Sequence, residues 1–176
     1  MTESKQSQSR VLLPRFIAEQ AKCLEYAGIE SAKAEVEWIL CHVLDVDRLN
    51  LYLHGEELLD EQARKRVDEM VVRRTERYPL QFILNESWFY GRKFFVSPAV
   101  MAPTPETERL CEAALSNISS RELQQPKVLD IGTGSGVLAM AMCQAGLPSC
   151  RAYEIDPVSI HEAKKNIALN HLAKKN

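Results

Sequence analysis

The segment VLDIGTGSG, residues 128–136, limits what this chain can fold into more than any other. Its three glycines alternate directly after the short apolar stretch 127–131, and an apolar helical pattern follows over 137–145. Glycine lets a loop backbone approach a ligand closely, and the first amides of the following helix point toward that ligand. The segment therefore predicts a buried strand, a ligand-binding turn and a helix.

A second strand and a second helix are predicted immediately afterwards. The strand covers 151–155, and Asp156 followed by Pro157 is typical of the start of a helix. That helix is expected to bury its regularly spaced apolar residues, Ile160, Ala163 and Ile167. The order strand, helix, strand, helix from residue 127 onward predicts an α/β unit with a parallel sheet.

The spacing of the glycines bears on the cofactor that the loop would hold. Dinucleotide-binding loops carry GxGxxG, whereas this loop is GxGxG with Asp130 two residues before the first glycine. Glu154 ends the second strand, where a carboxylate can accept hydrogen bonds from ribose hydroxyls. The loop resembles motif I of S-adenosylmethionine-dependent methyltransferases, which implies S-adenosylmethionine as cofactor. The alternatives are a nicotinamide or flavin nucleotide, or a glycine-rich turn that binds nothing.

The first 79 residues carry helical patterns. Pro14 is suited to the start of the first helix and Gly28 to its end, while Ser31 and Asp60 are typical N-caps of two later helices. Pro79 ends the last of them. Basic and acidic residues are interleaved along that last helix, which favours a solvated face over a binding patch.

The amino-acid composition changes at Gln81. The stretch QFILNESWFYGRKFFV is aromatic and β-branched, which predicts one or two strands or a hairpin, with Asn85 and Gly91 as turn candidates. Thr104 and Pro105 then indicate the start of a further helix.

Charge and composition exclude several classes of function. The net charge is −2 and the pI about 6.1, so no strong field would attract the whole molecule to nucleic acid or to anionic lipid. No apolar run approaches the roughly 20 residues of a membrane span. The first ten residues lack the apolar core of a signal peptide and are expected to form a frayed tail. Five cysteines without a CxxC pair predict neither a disulfide framework nor a zinc site. A soluble cytoplasmic protein without a metal is expected.

Four further stretches, taken together, resemble a known family. They are YPLQFIL at 78–84, FYG at 89–91, FFV at 94–96 and APTPETE at 102–108. They are similar to the hallmarks of the HemK/PrmC family, the protein-(glutamine-N5) methyltransferases of peptide chain release factors. The resemblance implies three parts: a helical substrate-recognition domain over 1–79, a β-hairpin linker over 80–103 and a partial Rossmann-like methyltransferase domain over 104–176.

The same resemblance implies a function and a set of site residues. The family methylates the side-chain amide of the glutamine in the GGQ motif of class 1 release factors, so release factors are the expected partners. The residues expected at the cofactor are Asp130, Gly132, Thr133, Gly134, Ser135, Gly136 and Glu154. Three positions depart from the family pattern: Thr104 stands for its usual Arg, Asn85 for Gly, and Glu154 for the commoner Asp.

The family's NPPY motif does not occur in these 176 residues. In the family that motif holds the glutamine amide in line with the methyl group, so the chain is expected to be a C-terminally truncated form that transfers no methyl group alone, and its catalytic residues stay unknown. With only the second strand beside it, KVLDI is expected to be an apolar open edge in a marginally stable half-domain. The alternatives are a non-catalytic helical module that binds a release factor, or another S-adenosylmethionine-dependent amino-group methyltransferase.

Overall fold

The structure is a computed structural model, and it describes residues 12–172. The tail predicted for the first ten residues lies outside this range. The chain divides into two compact units, Met1–Leu84 and Asn85–Asn176. We describe each unit by itself.

The first unit is helical. Its elements are α1 (Leu13–Tyr26), α2 (Ala32–Leu44), α3 (Arg48–Leu58), α4 (Glu61–Thr75) and α5 (Leu80–Leu84). They enclose one apolar core whose fully buried members include Leu24, Val36, Ile39, Leu40, Leu51 and Val67. Removing such side chains from water is the main force that holds a small helical unit together.

Polar residues fix where these helices begin. The Asp60 carboxylate accepts a hydrogen bond from Ala63 N at 2.7 Å, which confirms the predicted N-cap of α4. Ser31 precedes α2, but its hydroxyl donates to Glu35 Oε1 instead of capping the helix, so the predicted side-chain cap is wrong. The physical reason is Arg74, whose guanidinium holds both oxygens of the buried Glu35 carboxylate at 2.6 and 3.2 Å and brings it beside the hydroxyl.

Helix α5 replaces the beginning of the predicted strand region. Phe82 N and Ile83 N donate to the carbonyl oxygen of Pro79, which closes a helical turn. Ile83 and Leu84 are then buried in the core of the helical unit. The aromatic and β-branched texture that predicted a strand from Gln81 was therefore misleading, because tertiary burial outweighed a local preference.

The second unit begins with a hairpin, as the sequence predicted. Strands β1 (Glu86–Phe89) and β2 (Arg92–Phe95) pair antiparallel. Tyr90 and Gly91 form the turn with φ of 51° and 74°, the backbone of a two-residue hairpin loop. Asn85 also has a positive φ, 52°, which agrees with its standing where the related family has glycine.

The rest of the second unit alternates helices and strands. In order these are α6 (Pro105–Ser120), β3 (Val128–Ile131), α7 (Val137–Gln144), β4 (Cys150–Tyr153) and α8 (Pro157–Leu169). Strands β3 and β4 are parallel and form a two-stranded sheet. Within the described residues β3 pairs with β4 alone, so its other edge is open, and its apolar side chains Leu129 and Ile131 are 56% and 78% exposed.

Helix α8 buries a different face from the predicted one. The side chains it buries are polar, namely Ser159, Glu162 and Asn166. The apolar set expected inside is only half-buried at best, and Ile167 is 36% exposed. The prediction was wrong because this helix packs on backbone groups of β2 and the glycine loop, which need hydrogen-bonding partners more than apolar contact.

No helix within residues 12–172 is long and apolar enough to cross a bilayer.

Candidate cofactor site

The register of the parallel sheet brings the ends of two strands together. Ile131 pairs with Tyr153, so the glycine loop and Glu154 leave the sheet side by side. The carbonyl oxygen of Tyr153 accepts hydrogen bonds from Gly132 N at 2.9 Å and from Thr133 N at 3.1 Å. This is the edge at which open α/β sheets bind ligands.

The three glycines all have a backbone that L side chains rarely adopt. Their φ angles are 73° at Gly132, 56° at Gly134 and 82° at Gly136. A Cβ atom at Gly136 would lie 2.5 Å from the Met140 side chain and 3.3 Å from Cβ of Ala163, so glycine there permits close packing of α7 and α8. A Cβ at Gly132 would meet nothing within 4 Å, which means that this part of the loop faces open space.

Asp130 organises the loop from inside. Its Oδ2 accepts a hydrogen bond from the Thr133 hydroxyl at 2.7 Å. The carbonyl oxygen of Thr133 in turn accepts from Gly136 N at 2.9 Å, where α7 begins. The acid before the first glycine thus holds the turn in shape.

Glu154 closes the site from the second strand. Its Oε2 accepts from Gly134 N at 2.9 Å, and its Oε1 accepts from Ile155 N at 2.7 Å and Asp156 N at 3.1 Å. The amides of Asp156, Gly134 and Ile155, in that order, hold the pKa of this carboxyl below its usual range. Glu154 is therefore ionised at neutral pH. A carboxylate has about four acceptor positions, so three amides leave capacity for a hydroxyl donor.

Sequence reasoning missed Asn166, which lies against the loop. Its side chain is 0% exposed; Nδ2 donates to the carbonyl oxygens of Ser135 at 3.0 Å and Phe95 at 2.9 Å, and Oδ1 accepts from Phe95 N at 2.6 Å. Ser135 itself is buried. The signal available in the sequence was the pair Asn166 and Asn170, one helical turn apart on a helix that had been judged only by its apolar residues.

The segment after the hairpin also lies close to the loop. The Ser97 hydroxyl donates to Glu162 Oε2 at 2.7 Å. A Cβ on Gly134 would lie 3.5 Å from a methyl group of Val100. Helix α8 and the segment 97–100 therefore enclose the loop on the side away from open space.

All seven residues selected from the sequence lie in one region, and hydrogen bonds connect them. Asp130 binds Thr133, Glu154 binds Gly134, and backbone bonds join Gly136 to Thr133 and Gly132 to Tyr153 beside Glu154. The Ser135 carbonyl accepts from the side chain of Asn166. Their binding of a cofactor stays a prediction. Within residues 12–172 no three His, Cys, Asp or Glu side chains are grouped so that they could hold a metal ion.

Comparison with known proteins agrees with this architecture. The family profile described as PrmC N-terminal domain matches residues 16–84, and that described as Ribosomal protein L11 methyltransferase (PrmA) matches 103–176. The fold and its glycine loop thus define a helical unit followed by a partial methyltransferase domain.

Individual relatives are more specific. The release factor glutamine methyltransferase of Koribacter versatilis is 39% identical over 149 residues, 84% of this chain and 52% of the relative. Those of Nitratidesulfovibrio vulgaris and Neisseria gonorrhoeae are each 34% identical, over 78% and 82% of this chain and 45% and 52% of the relatives. The chain is thus homologous to the release factor glutamine methyltransferases, the PrmC/HemK family, which confirms the resemblance. It spans about half the length of the curated relatives it matches.

Proposed function

We propose that this chain supplies the methyl-donor site and the substrate-recognition unit of an enzyme that methylates the GGQ glutamine amide of class 1 release factors with S-adenosylmethionine. The observation that carries the proposal is the hydrogen-bonded loop 132–136 beside Glu154, in a chain homologous over most of its length to enzymes of that name. Release factors work on the ribosome, so we place the enzyme in the cytoplasm.

The site residues would contribute to binding of the methyl donor in different ways. The open side of the loop at Gly132 admits a ligand against the backbone, and Asp130 keeps the turn closed. Glu154 is ionised at neutral pH and has acceptor capacity left for one hydroxyl of a ribose. When bound, S-adenosylmethionine supplies a methyl group on a positively charged sulfur. The acidic residues around the loop favour a cation electrostatically.

Binding of the methyl donor and transfer of the methyl group require different features of the protein. An amide nitrogen is a poor nucleophile because its lone pair is delocalised into the carbonyl group, so it must be oriented for attack; orientation can lower a barrier by several kcal/mol. The NPPY motif that does this in the related family is not among residues 1–176. We therefore assign donor binding to this chain and expect no transfer by these 176 residues alone.

The helical unit offers an apolar patch for the substrate protein. Leu49, Tyr52 and Leu53 share one face of α3 and are 70%, 48% and 63% exposed. The Tyr52 hydroxyl donates to the buried Glu37 carboxylate of α2, which fixes the position of its ring on this face. Exposed aromatic and aliphatic side chains of this kind are typical anchors of protein interfaces.

Calorimetry with purified components tests both parts of the proposal. We expect the 176-residue chain to bind S-adenosylmethionine and a purified class 1 release factor. Leu53→Ala should weaken release-factor binding about tenfold without changing the affinity for S-adenosylmethionine. Tyr26→Ala is the matched control, because Tyr26 is 91% exposed at the end of α1 and lies outside the patch.

The same experiment separates the alternatives. Binding of the release factor without binding of the donor would favour a non-catalytic module. Binding of the donor with no affinity for any release factor would favour another amino-group methyltransferase, such as one acting on a ribosomal protein, for which the profile matching 103–176 is named.

A further inference from the structure

The polar face of α8 lies against two backbone segments that are far apart in sequence. Asn166 contacts Phe95 at the end of β2 and Ser135 in the glycine loop, 71 and 31 residues away. It is completely buried, and its three hydrogen bonds all go to main-chain atoms. A side-chain amide with one acceptor and two donors matches these three partners fully.

We propose that Asn166 is a positioning residue for the methyl donor: it fixes the glycine loop against the hairpin strand so that the loop amides and Glu154 stay in one arrangement. This inference rests on the proposed function, since it concerns the same site. Asn166 reaches only main-chain atoms behind the loop and therefore acts through Ser135.

Three observations support a role beyond general packing. Ser135 lies between Gly134 and Gly136, both of which have positive φ, so its carbonyl sits in the part of the loop with the least regular backbone. A Cβ on Gly136 would lie 3.3 Å from Cβ of Ala163 in the same helix, so α8 approaches the loop closely at two points. The hydrogen bond from Gly134 N to Glu154 Oε2 lies one residue before Ser135. A shift of the Ser135 carbonyl would therefore displace the amide that Glu154 holds.

Helix α8 provides a matched control one turn further on. Asn170 Nδ2 donates to the carbonyl oxygen of Lys93, also in β2, at 3.1 Å. Asn170 thus joins the same helix to the same strand as Asn166 does but makes no contact with the loop. Asn170→Ala removes this bond and the one within α8 from Asn170 Nδ2 to the Asn166 carbonyl oxygen at 3.2 Å, and it removes no hydrogen bond of Ser135.

Two readouts on the full 176-residue chain test the proposal. The first is amide hydrogen exchange of the peptide that contains residues 132–137, measured without any ligand. We expect faster exchange in Asn166→Ala and unchanged exchange in Asn170→Ala. The second is the dissociation constant for S-adenosylmethionine by calorimetry, which we expect to rise at least about tenfold in Asn166→Ala and less than about twofold in Asn170→Ala.

A second variant covers the case in which Asn166→Ala does not fold. Asn166→Asp keeps the size of the side chain and an acceptor for Phe95 N, and replaces the amino group that donates to the two carbonyls with a carboxyl oxygen that repels them when ionised. It should accelerate exchange in the loop and weaken donor affinity as Asn166→Ala does.

Unchanged loop exchange in a folded Asn166 variant would overturn the proposal. So would equal losses of affinity in the Asn166 and Asn170 variants, because general loosening of α8 would then explain both. If the unaltered chain binds no S-adenosylmethionine, the proposed function fails, and the exchange measurement still decides whether Asn166 fixes the loop.

Discussion

Gly134 and Glu154 are joined by a hydrogen bond of 2.9 Å from a loop amide to a carboxylate 20 residues further along the chain. The bond exists because two parallel strands end at the same level and because glycine allows the loop a positive φ at that position. It links the two features that the sequence indicated separately, the glycine loop and the acid after the second strand.

Replacing that carboxylate tests its role directly. Glu154→Gln turns one acceptor oxygen into a donor that faces backbone N–H groups, so the loop must rearrange. We expect the affinity for S-adenosylmethionine to fall about tenfold or more in calorimetry. Glu154→Asp keeps the charge and is the residue more common in the related family, so it should retain affinity within about threefold.

The lowered pKa of Glu154 also predicts how stability and the affinity for S-adenosylmethionine change with pH. A carboxyl whose pKa is lowered by folding stabilises the folded state above its ordinary pKa, and this contribution is lost as the pH falls through the folded value. Glu154 also stays ionised until the pH falls below the ordinary range of a carboxyl. The affinity for S-adenosylmethionine should therefore be flat from neutral pH down to about pH 5 and fall in stronger acid. A loss of affinity between pH 8 and 6 would contradict this assignment.

Alanine substitutions at two glycines with the same backbone conformation distinguish the effect of backbone strain from the effect of filling the ligand space. Gly132 and Gly91 have φ of 73° and 74°, and a Cβ at either would meet nothing within 4 Å. Alanine at each should cost about 1–2 kcal/mol of stability, seen as equal shifts in thermal melting. Only Gly132→Ala should weaken donor binding, because only its side chain would enter the space beside the loop. Equal affinity in both variants would remove Gly132 from the site.

The buried Glu162 predicts a pH-dependent stability of the second unit. Glu162 is 3% exposed, and its Oε1 is buried without a hydrogen-bond partner. Burial raises the pKa of this carboxyl, opposed by the Ser97 hydrogen bonds and by Lys165. Its contribution to stability is therefore fully present below the ordinary pKa and is lost as the pH rises through the raised value.

Neutralising Glu162 should remove that loss. Glu162→Gln should melt about 4–8 °C higher than the unaltered chain at pH 7.5, equivalent to about 1 kcal/mol for a unit of this size, and the difference should shrink at pH 4.5. Ser97→Ala, which removes the hydroxyl donor, should lower the melting temperature at pH 7.5. A pH-independent difference between Glu162→Gln and the unaltered chain would show that the charge is not the cause.

Cysteine alkylation reports on the two units separately. Burial, together with Cys143 and Asp130, raises the pKa of Cys150 to about 11, so about one thiol in a thousand is ionised at pH 8. Cys23 is exposed on α1 and should react first. In increasing urea, Cys150 and Cys111 should become reactive before Cys41 of the helical unit, because a two-stranded sheet with two helices buries little apolar surface. Simultaneous exposure of all three would contradict a marginal second unit.

The elements that the sequence predicted correctly are those with a local physical signal. Asp60 and Asp156 have short carboxylates that cap helices, and both accept the expected backbone amide. The glycines of the loop and Asn85 occupy the positive φ region that their residue types allow. Each of these depends on a few neighbouring atoms, which is why a single sequence reveals them.

The elements that were missed depend on distant partners. Residues 81–84 have the composition of a strand, yet Ile83 and Leu84 become part of a helical core. Helix α8 has an apolar stripe, yet it buries Asn166 because Phe95 and Ser135 present unpaired backbone groups to it. The partners of Asn166 are 71 and 31 residues away, and no local pattern in the sequence identifies them.

The most direct test of the central claim is calorimetric titration of S-adenosylmethionine into the 176-residue chain and its Gly134→Val variant. At φ 56° a β-branched side chain is strained, and its Cβ would lie 3.5 Å from a methyl group of Val100, so Gly134→Val should shift the loop amide that donates to Glu154. Gly146→Val, also at a positive φ with open space around it, serves as the control for strain. We expect one donor to bind the unaltered chain and the Gly146 variant, and none to bind Gly134→Val. Affinity retained within about threefold in Gly134→Val would contradict the assignment of the loop.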